Sequence, residues 1–325
     1  MTKKQACNRR KRRVWRQRLL LGCLVLFLLS LIPWILMLPK PAKTAPAQQA
    51  DAEHTLEAHA ASPSSLPEGY ERRTMSEQDF SAGTLVLVNR EHSFDPTLAQ
   101  TVSVYENKTD RYLVKDVELS IRPEAMDALN RWMDAFCAET GKADVNIVAG
   151  WRSYEDQQAL YRNAVKTKGQ AHADAYLALP GHSEHHTGLA VDLDTYNTED
   201  GTSGGFDGDG AYAWAVEHAW EYGFVQRYPP EKQDITGIDY EAWHFRYVGL
   251  PHAFEMASRN LCLEEYIDEL YRYPFEGEHL LIQCPGQQYE VYFCPAGNVI
   301  VPSGGSYSIS SNHVDGYIIT ITLPS

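Results

Sequence analysis

The apolar positions of the chain fall into three textures. The first is one long run, Leu19 to Leu38, broken only by small residues, Ser30 and Pro33. At about 1.5 Å per residue such a stretch covers roughly the 30 Å hydrocarbon core of a bilayer, so it predicts a transmembrane helix. Residues 39–66 follow, rich in Pro, Ala, Ser and Gln and nearly devoid of large apolar groups. They cannot bury enough surface to fold, and they read as a tether.

The second texture mixes helical and strand periods. Residues 84–89 form a short apolar run of strand type, and 111–114 and 117–121 alternate weakly. Pro123 then opens a helix with Met126, Leu129, Met133 and Phe136 on one face and Gly141 as its stop. Beyond it the pattern predicts a buried strand over 145–149, a helix over 154–166, a strand over 188–193, a helix over 211–222 and a strand over 224–227. Helices and strands are interspersed without a regular βαβ repeat, which makes the class α+β.

The third texture starts near residue 276, with short alternating β segments at 279–284, 289–294, 298–301 and 316–323, separated by Pro285-Gly286, Ala296-Gly297 and Gly304-Gly305. About 50 residues is marginal for independent stability. This β appendage is either a separate module or an extension packed on the main domain. The expected organisation is a tail over 1–18, an anchor over 19–38, a tether over 39–66, a main domain over 67–275 and a β-rich module over 276–325.

Charge gives this organisation a direction. The net charge of −14 hides an asymmetry, because eleven of the 29 Lys and Arg lie in residues 1–43, which hold no acidic residue. The remaining 18 face all 43 acidic residues, a net of −25 for the body. Basic residues before the apolar run place the N-terminus in the cytoplasm and the body outside, as a single-pass membrane protein. A cleaved signal peptide with Ala45-Pro46-Ala47 as its site is the rival, but its apolar core is normally only about 7–15 residues. So acidic a body excludes nucleic acid as a partner, since phosphate binding needs clustered Lys and Arg. Of the six cysteines, Cys7 and Cys23 lie in the tail and anchor; Cys137, Cys262, Cys284 and Cys294 lie outside, either in disulfides or as buried free thiols. A hairpin turning over 285–288 would set Cys284 opposite Tyr289, a poor geometry for a bridge to Cys294.

Candidate chemistry concentrates in His182, His185, His186 and Asp192, echoed by Glu241 and His244. Zinc in a hydrolytic site takes three N or O ligands and keeps a position for water. An extended chain from His185 to Asp192 would reach roughly 23 Å, so the backbone must reverse between them, and Gly188 is the natural place. Past the turn, Asp192 lies on one face of a strand while Leu189, Val191 and Leu193 pack on the other. Glu241 and His244, three apart, come together only if they sit on a turn. No HExxH or HxxEH is present, which excludes the helix-borne zinc-protease motifs. Asp192 with Asp194, and Asp207 with Asp209, do not complete a calcium loop and read as solvated. The Gly-rich stretch 196–210 reads as a rim of the site.

Ser183, His185, Gly188, Ala190 and Asp192 match an SxHxxGxAxD pattern, Glu241, Trp243 and His244 match ExWH, and Gly150, Arg152, Ser153, Gln157, Leu160 and Tyr161 are similar to GYRSxxxQxxLY, with Trp151 in place of the Tyr. Together they resemble the VanY-type D-alanyl-D-alanine carboxypeptidases over about residues 80–258. The resemblance implies a Hedgehog/DD-peptidase-like α+β domain with a mixed or antiparallel sheet. It implies Zn2+ held by His185, Asp192 and His244, Glu241 as general base, and Arg152 stabilising charge or orienting substrate. It leaves Gln157, Ser183 and Trp243 as pocket residues, and His182 and His186 as bystanders. The implied substrate is the C-terminal D-Ala of peptidoglycan stem peptides. An L,D-carboxypeptidase acting on tetrapeptide stems and a non-catalytic wall-binding module are the alternatives; the second would be marked by loss of a ligand or of the base.

Overall fold

The helix expected from Pro123 forms as α1, Pro123–Thr140, in a computed structural model that describes residues 66–324. Its apolar stripe, including Met126, Leu129, Trp132, Met133 and Phe136, is wholly buried, and Gly141 ends it in a left-handed conformation. Each such side chain contributes about 1.5–3 kcal/mol by leaving water. The stripe lies on a mixed sheet built from β3 (Leu113–Val114), β5 (Val145–Ala149), β6 (Ala190–Asn197), β8 (Phe224–Gln226) and β9 (His244–Tyr247), in the order β3-β5-β6-β9-β8. The β3–β5 pair is parallel and the others antiparallel. Trp132 stacks on Phe224 and meets Phe245 edge-on. The strand period of two does the rest: Val191, Leu193 and Phe245 enter this core, while Asp192, His244 and Arg246 point to the opposite side.

On that opposite side α2 (Tyr154–Lys168) and α3 (Gln170–Tyr176) flank Asp192 and His244, while α5 (His252–Arg259), α6 (Leu263–Leu270) and the C-terminal strands share a core with Val225 of β8; α4 (Ala213–His218) joins α1. The remaining strands are β1 (Tyr70–Arg73), β2 (Val102–Ser103), β4 (Ser120–Ile121), β7 (Thr202–Ser203), β10 (Leu280–Cys284), β11 (Gln287–Pro295), β12 (Val299–Pro302), β13 (Ser306–Ser311) and β14 (Gly316–Thr322). A four-stranded antiparallel sheet runs β10-β11-β14-β13. Of the two arrangements left open for the tail, the packed extension is the one observed. Leu263, Tyr266, Ile267 and Leu270 of α6 share one core with Leu280, Ile282, Val291 and Ile318. The chain's first described residues close the other side, with β1 paired to β12 and Leu66, Tyr70, Met75 and Phe80 packed on the module.

Several local expectations change. Residues 85–88 are buried but belong to no strand, and two carbonyls of the segment are taken by a side chain instead: Arg246 Nη2 donates to Thr84 O and Val86 O. The helix expected over 211–222 is divided into 3-10, α and 3-10 turns. The first C-terminal hairpin turns on Pro285-Gly286 alone, so Cys284 faces Gln287 rather than Tyr289. Cys137, Cys262, Cys284 and Cys294 are free thiols. Among the described residues no helix is long and apolar enough to cross a membrane; the anchor expected over 19–38, like most of the tether, lies outside them.

One polar link crosses the shared core. His252 on α5 bonds Tyr266 Oη on α6 through Nδ1 and Thr320 Oγ1 on β14 through Nε2, at 2.8 and 3.1 Å. Burial pushes its pKa down to about 3. An unfolded histidine titrates near 6.5, so this contribution is complete above that pH and is lost as pH falls from there towards the folded value. The predicted loss is about 2 kcal/mol between pH 7.5 and pH 5. Urea unfolding of wild type and His252→Gln at both pH values measures it, and an identical pH effect in the two proteins would contradict it.

Candidate metal centre and cleft

Three elements deliver the polar cluster. Ser183 leads into a single 3-10 turn, Glu184–Thr187, which Gly188 closes at φ 70°. A Cβ there would sit 3.0 Å from Thr101 Cγ2, so both the left-handed backbone and the close approach call for glycine. The reversal expected at this position is therefore present, and it returns the chain into β6. There Asp192 lies directly opposite His244 in β9 and opposite Ala149 in β5. A bulge between Ile147 and Ala149 redirects the end of β5 towards Gly150, Trp151 and Arg152.

His185 Nε2 lies 3.3 Å from Asp192 Oδ2, and His244 Nδ1 lies 2.9 Å from Asp192 Oδ1. One ligand atom from each of the three residues lies within 4.8 Å of the others. His185 Nδ1 donates to Gly150 O at 2.7 Å, which leaves Nε2 as the free lone pair facing the cluster. Two imidazoles and a carboxylate in such a triangle fit the N2O donor set of a hydrolytic zinc site. Burial alone would raise the Asp192 carboxyl, but His185 and His244 outweigh it and hold the group well below the carboxylate range. Glu241 sits on the turn that opens β9, fixed by its N–H to Tyr228 O, with Oε2 3.9 Å from His244 Nδ1. Burial pushes its pKa up to about 8, opposed by His244 and assisted by Asp192.

The cluster opens into a cleft of about 370 Å³ lined by Arg152, Gln157, Ser183, Tyr228 and Trp243 and extended along α2 and α3 to Lys168 and His172. Gln157 accepts from Arg152 Nη1 at 2.8 Å and donates to Ala178 O, so it holds the guanidinium rather than facing solvent. His182 and His186 are engaged with backbone: His182 Nδ1 meets Asn89 O, and His186 bridges Arg152 O and Gly181 N–H. None of residues 196–210, expected as a rim, lines the cleft. Asp192 is near the start of β6 and that loop follows its far end, more than about 15 Å along the strand.

Glu184 is the residue the motif reading passed over. It is fully buried between two guanidiniums, with Arg227 Nε and Arg246 Nη1 each donating to Oε1 at 2.8 Å, and its Oε2 lies 3.4 Å from His244 Nε2. Arg227 also forms a two-pronged pair with Glu264 of α6. Burial would raise Glu184, but the two arginines overrule it and keep the carboxyl far below its usual range. Only its place between Ser183 and His185 could have marked it, since its partners lie 43, 60 and 62 residues away.

The fold and this donor set define the class, a metallopeptidase. A family model described as VanY, D-alanyl-D-alanine carboxypeptidase, matches residues 118–250. A D-alanyl-D-alanine carboxypeptidase of Enterococcus faecium is 31% identical over 266 residues, covering 79% of this chain and 81% of the relative. The bifunctional D-Ala-D-Ala dipeptidase and carboxypeptidase VanXYC of Enterococcus gallinarum is 35% identical, covering 58% of this chain and 95% of its own. A solved structure of the vancomycin-resistance D,D-dipeptidase VanXYg with a D-Ala-D-Ala phosphinate analogue superposes with a TM-score of 0.68 at 30% identity, over 78% of this chain and 99% of that one. The chain belongs to the VanY family of D-alanyl-D-alanine carboxypeptidases.

Gly150 is the tightest point of the site. A Cβ there would stand 2.5 Å from Ser120 O and within 3 Å of Leu119 and Ile121 side chains. Gly150→Ala should therefore cost about 1–3 kcal/mol and displace the carbonyl that anchors His185. Thermal unfolding together with zinc content after dialysis tests this; a variant matching wild type in both would show that the approach is not constraining.

Proposed function

We propose that this chain is a zinc-dependent carboxypeptidase that removes the C-terminal D-Ala from peptidoglycan stem peptides ending in D-Ala-D-Ala. The observation that carries the reading is the convergence of His185, Asp192 and His244 at the floor of a cleft that also holds Glu241 and Arg152. The family's activity supports the substrate class. We further propose that residues 19–38 anchor the protein and that the enzyme works on the outer face of the membrane, a reading supported by the charge asymmetry around that apolar run.

His185, Asp192 and His244 would hold the zinc, which supplies a Lewis acid and a water of lowered pKa when bound. Glu241 is not needed as a ligand and is placed to take a proton from the attacking water and return it to the departing amine of D-Ala. A carboxyl raised by burial suits that exchange, although a bound dication would draw its pKa back down. Arg152, locked by Gln157, orients the substrate and receives the negative charge that develops on the scissile carbonyl; its guanidinium cannot lose its proton in doing so. Ser183 and Trp243 shape the cleft wall around the terminal residue.

Incubating the soluble part, residues 66–325, with defined pentapeptide and tetrapeptide muropeptides and with free D-Ala-D-Ala, and detecting D-alanine by mass spectrometry, tests the assignment. Release from the pentapeptide and its suppression by chelator are expected; release from the tetrapeptide alone would select the L,D activity, and none from any substrate would sink the enzyme reading. Glu241→Gln should lower kcat by at least about 10²- to 10⁴-fold while keeping its zinc. Loss of zinc in that variant would contradict the role given to Glu241.

A further inference from the structure

The polar groups on the far side of His244 have no part in the mechanism above, yet they are among the most deeply buried in the molecule. Glu184, Arg227 and Arg246 are each at most 2% exposed. Taking such charges out of water costs several kcal/mol per ion, so their burial is weak evidence for a role in stability alone. The directions of their hydrogen bonds indicate a purpose. Both arginines donate to the same oxygen of Glu184, Oε1. The other oxygen, Oε2, faces His244 Nε2 alone.

We propose that Glu184 is a positioning residue for the metal centre: its Oε2 accepts the Nε2–H of His244, fixing the ring so that Nδ1 presents a lone pair beside Asp192 and His185. The inference rests on the zinc reading of the site given above. An imidazole can bind a metal only through its unprotonated nitrogen, so the partner of the second nitrogen chooses the ligand atom. His185 is governed in the same way from the other direction: Gly150 O takes its Nδ1–H and leaves Nε2 free. The two ligands thus use opposite ring nitrogens, each set by a buried acceptor.

Arg227 and Arg246 hold Glu184 from two separate strand edges. Arg246 belongs to β9 itself and clamps the 84–88 segment through Thr84 O and Val86 O. Arg227 follows β8 and is held in turn by Glu264, with Nη1···Oε2 at 2.9 Å and Nη2···Oε1 at 2.6 Å; Asn89 Nδ2 also donates to Glu264 Oε1 at 3.3 Å. Glu264 is the outermost member of this chain, and it stands on α6, the helix whose apolar face is covered by the C-terminal strands. Through it, the C-terminal layer bears on the orientation of a metal ligand.

Glu184→Gln tests the assignment sharply. With Oε1 still taken by the two arginines, the new amide would turn its N–H2 towards His244. That group cannot accept a proton, and it favours the tautomer protonated on Nδ1, the nitrogen the metal needs. Zinc affinity, measured by competition with a chromophoric chelator, should fall by about 10- to 100-fold. The visible absorption of the cobalt-substituted protein should change as well, which a merely structural role would not produce. Glu264→Gln should fold like wild type and shift zinc affinity in the same direction by less.

Wild-type zinc affinity and an unchanged cobalt spectrum in a folded Glu184→Gln protein would overturn the proposal. Should that variant fail to fold, Glu264→Gln decides, and an unaltered affinity and spectrum there would overturn it. Failure of the wild-type protein to bind zinc at all would instead remove the functional reading on which the inference stands. Chelator competition needs no substrate, so the two failures are distinguishable.

Discussion

The site depends on the register between β6 and β9. Asp192 lies directly across from His244 and, on its other side, from Ala149. Those three positions form a row across the central sheet, and each strand carries its own contribution: a carboxylate from β6, an imidazole from β9, and the start of the Arg152 segment from β5. A shift of one residue would turn Asp192 into the α1 core and Val191 or Leu193 into the cleft. The register is therefore enforced from behind. Val191, Leu193 and Phe245 fit against Trp132 and its neighbours only when the polar side chains face the other way. The apolar half of each strand positions the chemical half, with no separate device needed.

A second constraint follows from placing charges on that face. The site brings together four buried charged groups, Glu184, Glu241, Arg227 and Arg246, and two half-buried ones, Asp192 and Arg152, and no one pair neutralises the rest. The arrangement separates them by use. Asp192 faces the two histidines and the cleft, Glu184 faces the two arginines, and Glu241 is left without a firm ion pair of its own, since its nearest charged contact is at 3.9 Å. The three carboxyls differ accordingly: two are held far below the carboxylate range and one is pushed up to about 8. Environments that push like groups apart are what an acid–base site requires, with anions that stay ionised next to one able to exchange a proton.

The sequence carried the parts of this that depend on local spacing. The α1 stripe and its Pro and Gly boundaries were plain from period 3.6, and the turn at Gly188 followed from the distance between His185 and Asp192. Residues 84–89 were misread because an apolar run records burial and says nothing of which donor satisfies its carbonyls; here the donor is Arg246, about 160 residues away. The strand Ser306–Ser311 was missed because four of its six residues are serine, and its pairing is with β14 on an edge that needs little apolar surface. Glu184 was invisible for a related reason. A glutamate among histidines reads as a solvated loop until two arginines from distant strands are brought onto it.

The C-terminal fifty residues gain a physical meaning from α6. Positions 263, 266, 267 and 270 recur at the spacing of one helix face and enter the core shared with β10, β11 and β14, while Glu264 lies off that face and reaches Arg227. The same helix turn therefore joins an apolar layer to a charged one. Without the strands, the buried face of α6 would meet water, and the helix that carries Glu264 would lose its apolar seat. An ion pair loses most of its strength as the surrounding dielectric rises, and a network of buried hydrogen bonds loses its fixed directions with it. The strands contribute no residue to the cleft. What they contribute is the apolar cover of α6, the helix from which Glu264 holds Arg227.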